Sequence, residues 1–464
     1  MPEIVKWRQT MSKHQTEKQI PHNDSIRDGR RNFLKKSATG MALGLSGAIG
    51  APFVHAQSKV TLRFLNSETS AANQKVLKEA CDEYERKFGI KTIIDSTPIS
   101  GAHPKILAAV RAGQPYDLST QGFIANILQY ADAGILEPLT KFVGQHTWGN
   151  DSIWKYKGEV WFYPYDYNLA TMYYRKDLYA KHGLKIPETW DELLKNCQTL
   201  AVSENGMIQR GGCVIPIQSD SSTNWASFGS LFAEVPKFYD DKWNVILDQG
   251  DALKGTAGFL DLYTELYKTM PPGMNTVSYA EMMSLFVTGK TAHTLYSGRL
   301  VEAIEAHSPE LSDKFGIFAL PDKAGKQKAL TTAYDSFLLF KTKQSEEGFK
   351  FLKWFIDNYY IKWMLAAWMN SQPARLDIYE DPRWRKDPMI EKYWSTMSEM
   401  KSYIDDGSKT LITGIELSGP SVALLPCKIF DANIMPEMLQ NKVLKGMSSE
   451  DCVKNAANRI RKLT

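Results

Sequence analysis

The chain is poor in the groups that build metal, redox and covalent chemistry. Its five cysteines (Cys81, Cys197, Cys213, Cys427 and Cys452) form no Cys-x-x-Cys pair and no cluster with histidine. That argues against a zinc site or a dithiol redox motif, and leaves a disulfide such as Cys427–Cys452 open but unsupported. The eight histidines are dispersed. There is no G-x-S-x-G, Walker A, H-E-x-x-H or G-x-G-x-x-G, so the common hydrolase, nucleotide-hydrolysing, zinc-protease and dinucleotide signatures are all missing. Neither a cofactor nor a metal is expected. Heptads, internal repeats and low-complexity tracts are absent as well.

Charge of one sign is also lacking once the N-terminus is set aside. The net charge is +4, yet residues 1–56 hold nine Lys/Arg against four Asp/Glu, leaving 47 basic and 48 acidic residues beyond them. A nearly neutral remainder removes the compositional case for nucleic-acid binding. Hydrophobic content of 43% and charged content of 23% are those of a soluble globular protein. At 464 residues there is length for two or three units with buried cores.

What the N-terminus does contain is an export pattern. Arg30-Arg31-Asn32-Phe33-Leu34-Lys35-Lys36 follows the twin-arginine consensus. A weakly apolar stretch over 38–54 follows, diluted by Gly40, Gly44, Gly47 and Gly50, and Val54-His55-Ala56 offers small residues for cleavage. The reading is a signal over 1–56 with a mature start near Gln57, and a basic tail before a buried helix is its plain alternative. The stretch is too short and glycine-rich to span a membrane stably. No cysteine follows it, so a lipid anchor is not expected. The polar leader over 1–29 leaves Met11 or a later start open.

Residues 59–65 have strand character, residues 73–88 repeat Val76, Ala80, Tyr84 and Phe88 at helical spacing, and Gly89 precedes a second strand over 90–94. This opening implies a parallel αβ layer. Helices over 103–112 and 124–133 end at Gly113 and Gly134, and a strand over 168–175 follows. Thr189 with Glu192 three residues on reads as a capping box. Helices are expected over 254–268, 279–288, 346–358 and 448–462, which places the chain in the α/β class.

Several blocks then appear in a telling order. They are Tyr84-Glu85-Arg86-Lys87-Phe88-Gly89-Ile90-Lys91; Ala112-Gly113-Gln114-Pro115-Tyr116-Asp117 with Ala133-Gly134-Ile135-Leu136-Glu137-Pro138-Leu139; Phe162-Tyr163-Pro164 through Met172-Tyr173-Tyr174-Arg175-Lys176-Asp177-Leu178 to Pro187-Glu188-Thr189-Trp190-Asp191-Glu192-Leu193; Phe286-Val287-Thr288-Gly289-Lys290-Thr291-Ala292; and Leu320-Pro321. Together they resemble the family 1 extracellular solute-binding proteins of ABC importers, the sugar-binding group that includes maltose-binding protein. Arg175 and Tyr116 depart from the family's usual residues without disturbing the fold. The resemblance implies a two-lobed α/β fold of the type II periplasmic-binding-protein kind, with the ligand cleft between the lobes. By carry-over, 57–167 and 297–358 form the N-terminal lobe and 168–296 and 359–464 the C-terminal lobe. The chain would cross near Asn168, near residues 295–298 and after Tyr359.

A cleft for a polyhydroxylated solute needs aromatic faces for its C–H surfaces and amide, carboxylate or guanidinium groups for its hydroxyls. Asn66 and Glu68 follow the first strand, and Thr120 and Gln121 follow Asp117. Tyr165 and Asp166 sit at the first crossing, Trp225 ends the polar run 219–225, and Gly298 with Arg299 stands at the expected return. Tyr334, next to Asp335, and Arg375 complete the candidates. Arg299 occupies a place where the family carries Trp, and a guanidinium there suits a carboxylate or phosphate, so an acidic sugar is entertained. Each has a plain alternative: packing for Trp225, a hinge salt bridge for Arg299, a helix N-terminal charge for Glu68. The tryptophan- and tyrosine-rich run over 354–369 reads as core. Alanine at Trp225 or Arg299 is expected to weaken binding with thermal stability nearly intact.

The expected role is a monomeric periplasmic subunit that captures a mono- or oligosaccharide or sugar alcohol and delivers it to ABC permease subunits in the inner membrane. A receptor without transport, or a secreted carbohydrate-active enzyme, are the alternatives. Asp166 finds no second carboxylate whose spacing suggests shared hydrolytic chemistry.

Overall fold

In the computed structural model, which describes residues 60–463 apart from 69, 150, 151 and 406, the strand–helix–strand opening is present. The expected export signal, including Arg30-Arg31 and Ala56, lies outside the described residues. Helix Ala71–Phe88 starts where the Ser70 side chain accepts the Asn73 N–H, and stops at Gly89, whose φ of 73° suits a residue without Cβ. Its buried face is Asn73, Leu77, Ala80, Cys81 and Tyr84, while Phe88 is 54% exposed. A strict four-residue stripe drifts about 40° per step on a 3.6-residue helix, which carries Phe88 out to solvent. At Thr189 the cap is half as expected. Thr189 accepts the Glu192 N–H, but the Glu192 carboxylate turns to the Glu188 N–H at 2.7 Å.

The strands, in chain order, are β1 (Thr61–Asn66), β2 (Lys91–Ser96), β3 (Leu118–Gln121), β4 (Tyr163–Pro164), β5 (Asp166–Arg175), β6 (Val202–Glu204) and β7 (Met207–Arg210). They continue as β8 (His293–Tyr296), β9 (Phe315–Phe318), β10 (Leu320–Pro321), β11 (Lys328–Ala333), β12 (Ser336–Leu339), β13 (Gln372–Pro373) and β14 (Thr410–Thr413). One sheet runs β2-β1-β3-β12-β4, with β1 parallel to β2 and β3. A second is organised on β5, which pairs antiparallel with β8, β9, β11 and β13, while β10 and β14 extend it from β11. β6 and β7 form a separate hairpin. Each main sheet is the centre of one lobe, flanked by helices.

The sheets move the expected lobe boundaries. Residues 297–358 do not all join the first lobe, because β9, β10 and β11 pair in the second sheet. The chain returns only between β11 and β12, at Tyr334 and Asp335. Tyr296 to Arg299 is instead a strand end that starts helix Arg299–His307, packed on helix Tyr279–Val287. The 358/359 boundary also fails: helix Ser345–Ala366 runs through it and packs on helix Ala71–Phe88. The third passage comes at β13, where Gln372 pairs with Tyr167. The aromatic run over 354–369 is core, as expected, with Tyr359, Tyr360, Trp363 and Met364 buried.

All five cysteines are buried and free, so Cys427 and Cys452 are not joined. No helix among the described residues is long and apolar enough to cross a membrane, and none of their His, Cys, Asp and Glu groupings suits a metal ion.

Helix Leu424–Asp431 packs on helix Ile124–Asp132, with the Phe123 and Phe430 rings 5.1 Å apart. Beside this contact burial pushes the Glu416 carboxyl up to about 7 and Asp431 up to about 6. A carboxyl raised in the folded state contributes stability below its unfolded pKa and loses it as pH rises through the folded value. Burial lowers the pKa of His103, His146 and His293, which acts in the opposite sense, so a variant is needed to isolate the effect. Glu416→Gln is expected to be more stable than wild type at pH 8, by on the order of 2 kcal/mol. The gap should close as pH falls below about 5. Denaturant titrations of both proteins across this range check it.

Candidate ligand-binding site

Three passages of chain meet where the sheets adjoin. The Tyr165 N–H donates to the Asp335 carbonyl at 2.8 Å, and the Ala374 N–H donates to the Tyr165 carbonyl at 3.3 Å. A cavity of ≈ 230 Å³ opens on this junction, with Tyr165, Asn168, Ala333, Asp335 and Asn370 at its base. One wall comes from the residues that follow β1, β2 and β3: Ser67 and Glu68, Pro98 and Ile99, Gly122 and Phe123. This is the carboxyl end of three parallel strands, the usual place for a ligand in an open α/β sheet. The other wall is Trp225, Tyr279, Tyr296, Ser297 and Arg299.

Local chemistry fixes each wall. Asn66 folds its side chain back on the loop, donating to the Glu68 carbonyl at 2.9 Å and accepting the Glu68 N–H at 3.1 Å. Glu68 thereby faces the cavity, where its Oε1 also accepts the Ser70 N–H at 2.8 Å. Gly122 is needed for closeness: a Cβ there would stand 2.4 Å from Asp335 Oδ1. Asp220 caps helix Ser221–Ala226 through the Ser222 and Thr223 N–H groups, which sets Trp225 on the cavity. Its indole Nε1 donates to the Asn168 carbonyl at 2.9 Å, tying the wall to β5. The Trp225 ring lies 5.7 Å from Tyr279 and 6.1 Å from Tyr296, the latter edge-on at 88°.

The electrostatics centre on one cation. Arg299 Nη2 donates to both Glu68 oxygens, at 3.1 and 3.2 Å, joining the two walls across the cavity. Its Nη1 lies 3.9 Å from Glu302. Burial pulls the guanidinium pKa down, but Glu68 and Glu302 together leave it above its ordinary value. Glu302 in turn accepts the Met369 and Asn370 N–H groups, both at 3.0 Å. Asp335 accepts from Asn168 Nδ2 at 3.2 Å, and burial with the nearby Glu68 charge pushes it up to about 6. Asn168 Oδ1 is buried without a hydrogen-bond donor among the described residues.

Of the ten sequence candidates the cavity gathers four: Glu68, Tyr165, Trp225 and Arg299. Six point elsewhere. Asn66 holds the Glu68 loop, and Gln121 accepts the Gly122 N–H at 2.9 Å as a turn former. Asp166 is fully buried behind the base, and burial together with Asp335 drives its carboxyl well above the usual range. Gly298 is a spacer, since a Cβ there would meet the Met369 carbonyl at 1.8 Å. Tyr334 is buried against Tyr167 at 5.2 Å, and its neighbour Asp335 is the one that reaches the cavity. Arg375 pairs with Asp377 and lies 5.0 Å over the Tyr360 ring, away from the cavity. Phe123, Asn168 and Tyr279 were not singled out. Phe123 had a usable signal, since it lies two residues past the end of a strand of the parallel layer.

Residues 66–358 match the family described as bacterial extracellular solute-binding protein. A putative binding protein of Brucella abortus is 24% identical over 374 residues, 75% of this chain and 84% of that one. The mannitol-binding protein of Pseudomonas aeruginosa is 29% identical over 194 residues, 40% of this chain and 42% of that one. Among solved structures, an ABC transporter solute-binding protein of Thermotoga lettingae bound to α-D-tagatose superposes with a TM-score of 0.69 at 19% identity, over 87% of this chain and 99% of that one. One from Agrobacterium radiobacter in complex with ribitol gives 0.69 at 18% identity, over 87% and 99%. These likenesses establish the two-lobed fold.

Proposed function

Since the chain belongs to the bacterial extracellular solute-binding proteins, a family of binding proteins rather than enzymes, we propose that it captures a carbohydrate by lobe closure and delivers it to an ABC permease. The observation that carries this reading is the junction cavity. There aromatic side chains and hydrogen-bonding groups from both lobes converge on the hinge. Relatives that bind mannitol, tagatose and ribitol support the class. A volume of ≈ 230 Å³ lies just below the roughly 300–1,000 Å³ usual for small-molecule sites. This favours a monosaccharide or sugar alcohol within the range expected from sequence.

In the mechanism, ligand contacts with both walls favour the closed arrangement by their differential affinity for it. The Glu68–Arg299 pair joins the two walls, so it helps to hold them together. A micromolar affinity needs about −8 kcal/mol, within reach of several hydrogen bonds and stacked rings. The Arg30-Arg31 pattern supports twin-arginine export to the periplasm, with cleavage near Ala56.

The test is a thermal-shift screen of purified residues 57–464 against sugars and polyols, followed by uptake of the best ligand in a deletion strain. A shift of several degrees and lost uptake are expected. Unchanged uptake would overturn the importer role, and no shift with any sugar would overturn the carbohydrate reading.

A further inference from the structure

The charge on the cavity wall points to a selectivity rule. Arg299 is the only basic side chain among the described residues lining the cavity, against two carboxylates, Glu68 and Asp335. Arg299 is committed to Glu68 through both carboxylate oxygens and lies 3.9 Å from Glu302. Glu68 pairs with Arg299, while the second carboxylate, Asp335, has no salt bridge among the described residues and accepts from the Asn168 amide. An anionic ligand would have to draw Arg299 away from Glu68 to gain a bidentate partner. It would then face two stranded carboxylates at once.

A carboxylate accepts hydrogen bonds and donates none, so hydroxyl and ammonium groups suit Asp335. The faces of Trp225, Tyr279 and Tyr296 are favourable to a cation as well. We propose that Asp335 sets the charge selectivity of this cavity: it takes a neutral or amine-bearing polyol of monosaccharide size and rejects sugar acids and sugar phosphates. The inference rests on the carbohydrate reading. It also reverses the expectation drawn from Arg299 in the sequence, because the guanidinium is spent on neutralising the protein's own carboxylates.

Probes matched in skeleton and differing in charge test it by calorimetry on the purified protein: D-mannitol with mannitol 1-phosphate, D-tagatose with tagatose 6-phosphate, ribitol with ribitol 5-phosphate, and D-glucose with D-glucosamine and D-glucuronate. In every set that binds, the neutral or amine-bearing member is expected to bind at least about tenfold tighter than the anionic one. The near-isosteric Asp335→Asn should narrow that ratio severalfold, while Asp377→Asn on the Arg375 surface pair should leave it unchanged. An anionic member bound as tightly as its neutral partner overturns the rule. So does an unaltered ratio in Asp335→Asn whose melting matches wild type. Binding of no member overturns the carbohydrate reading, and the charge rule with it.

Discussion

Arg299→Ala is expected to lower ligand affinity by about 2–4 kcal/mol, roughly 30- to 1,000-fold, because it truncates one partner of a shielded, hydrogen-bonded charge pair. The Arg299 side chain is 30% exposed against 10% for Glu68, so solvent screening holds the loss toward the lower half of that range. Two costs combine. The closed form loses its cross-wall bond, and Glu68 and Asp335 are left on one small cavity without a cation. The ligand-free protein feels less of this, since opening the lobes lets water reach Glu68. Its melting temperature should therefore move little, in agreement with the sequence expectation for this residue. A double-mutant cycle with Glu68→Gln separates the terms. If closure uses the pair, Arg299→Ala should cost much less affinity in the Glu68→Gln background. Additive losses would mean that Arg299 serves the ligand directly.

How much of this was legible depends on whether the determining contact is local. The strands around Leu62, Ile93 and Tyr173 and the helix stops at Gly89, Gly113 and Gly134 follow from alternation and from positive φ at glycine. The lobe boundary does not. Tyr296 to Arg299 and Tyr334 to Ser336 are both aromatic-polar strand ends, and only pairing identifies the crossing. β11 lies beside β5, and β12 beside β3, partners far away in sequence. The same limit divides the site. Strand-end loops do line the cavity, but within them the direction of each side chain depends on backbone geometry. Asn66 and Gln121 spend their amides on neighbouring N–H and C=O groups, while Glu68, two residues beyond Asn66, reaches the cavity. Asp335 was read beside Tyr334, and strand register decides which of the two faces inward.

Trp225 is where structure changes an expectation most. From sequence it was a stacking platform whose removal should spare stability. In place it is 6% exposed, leans on Tyr279 and Tyr296, and donates its indole hydrogen to the Asn168 carbonyl at 2.9 Å. Trp225→Ala therefore removes a ligand face, opens a void and leaves the Asn168 carbonyl only the Thr332 hydroxyl, at 3.5 Å, as a side-chain donor. Full tryptophan truncations in cores cost about 3–5 kcal/mol. This ring also faces a cavity, so about 2–3 kcal/mol of stability is expected to go. Affinity should fall a further roughly 30-fold through the lost aromatic surface. Trp225→Phe tells the roles apart, since it keeps a ring and deletes the hydrogen bond, worth about 1 kcal/mol. If Trp225 contacts the sugar, the phenylalanine variant recovers most of the affinity while remaining less stable than wild type. If both variants bind as wild type once corrected for unfolding, Trp225 is a packing residue, and Tyr165, Tyr279 and Tyr296 must supply the stacking faces.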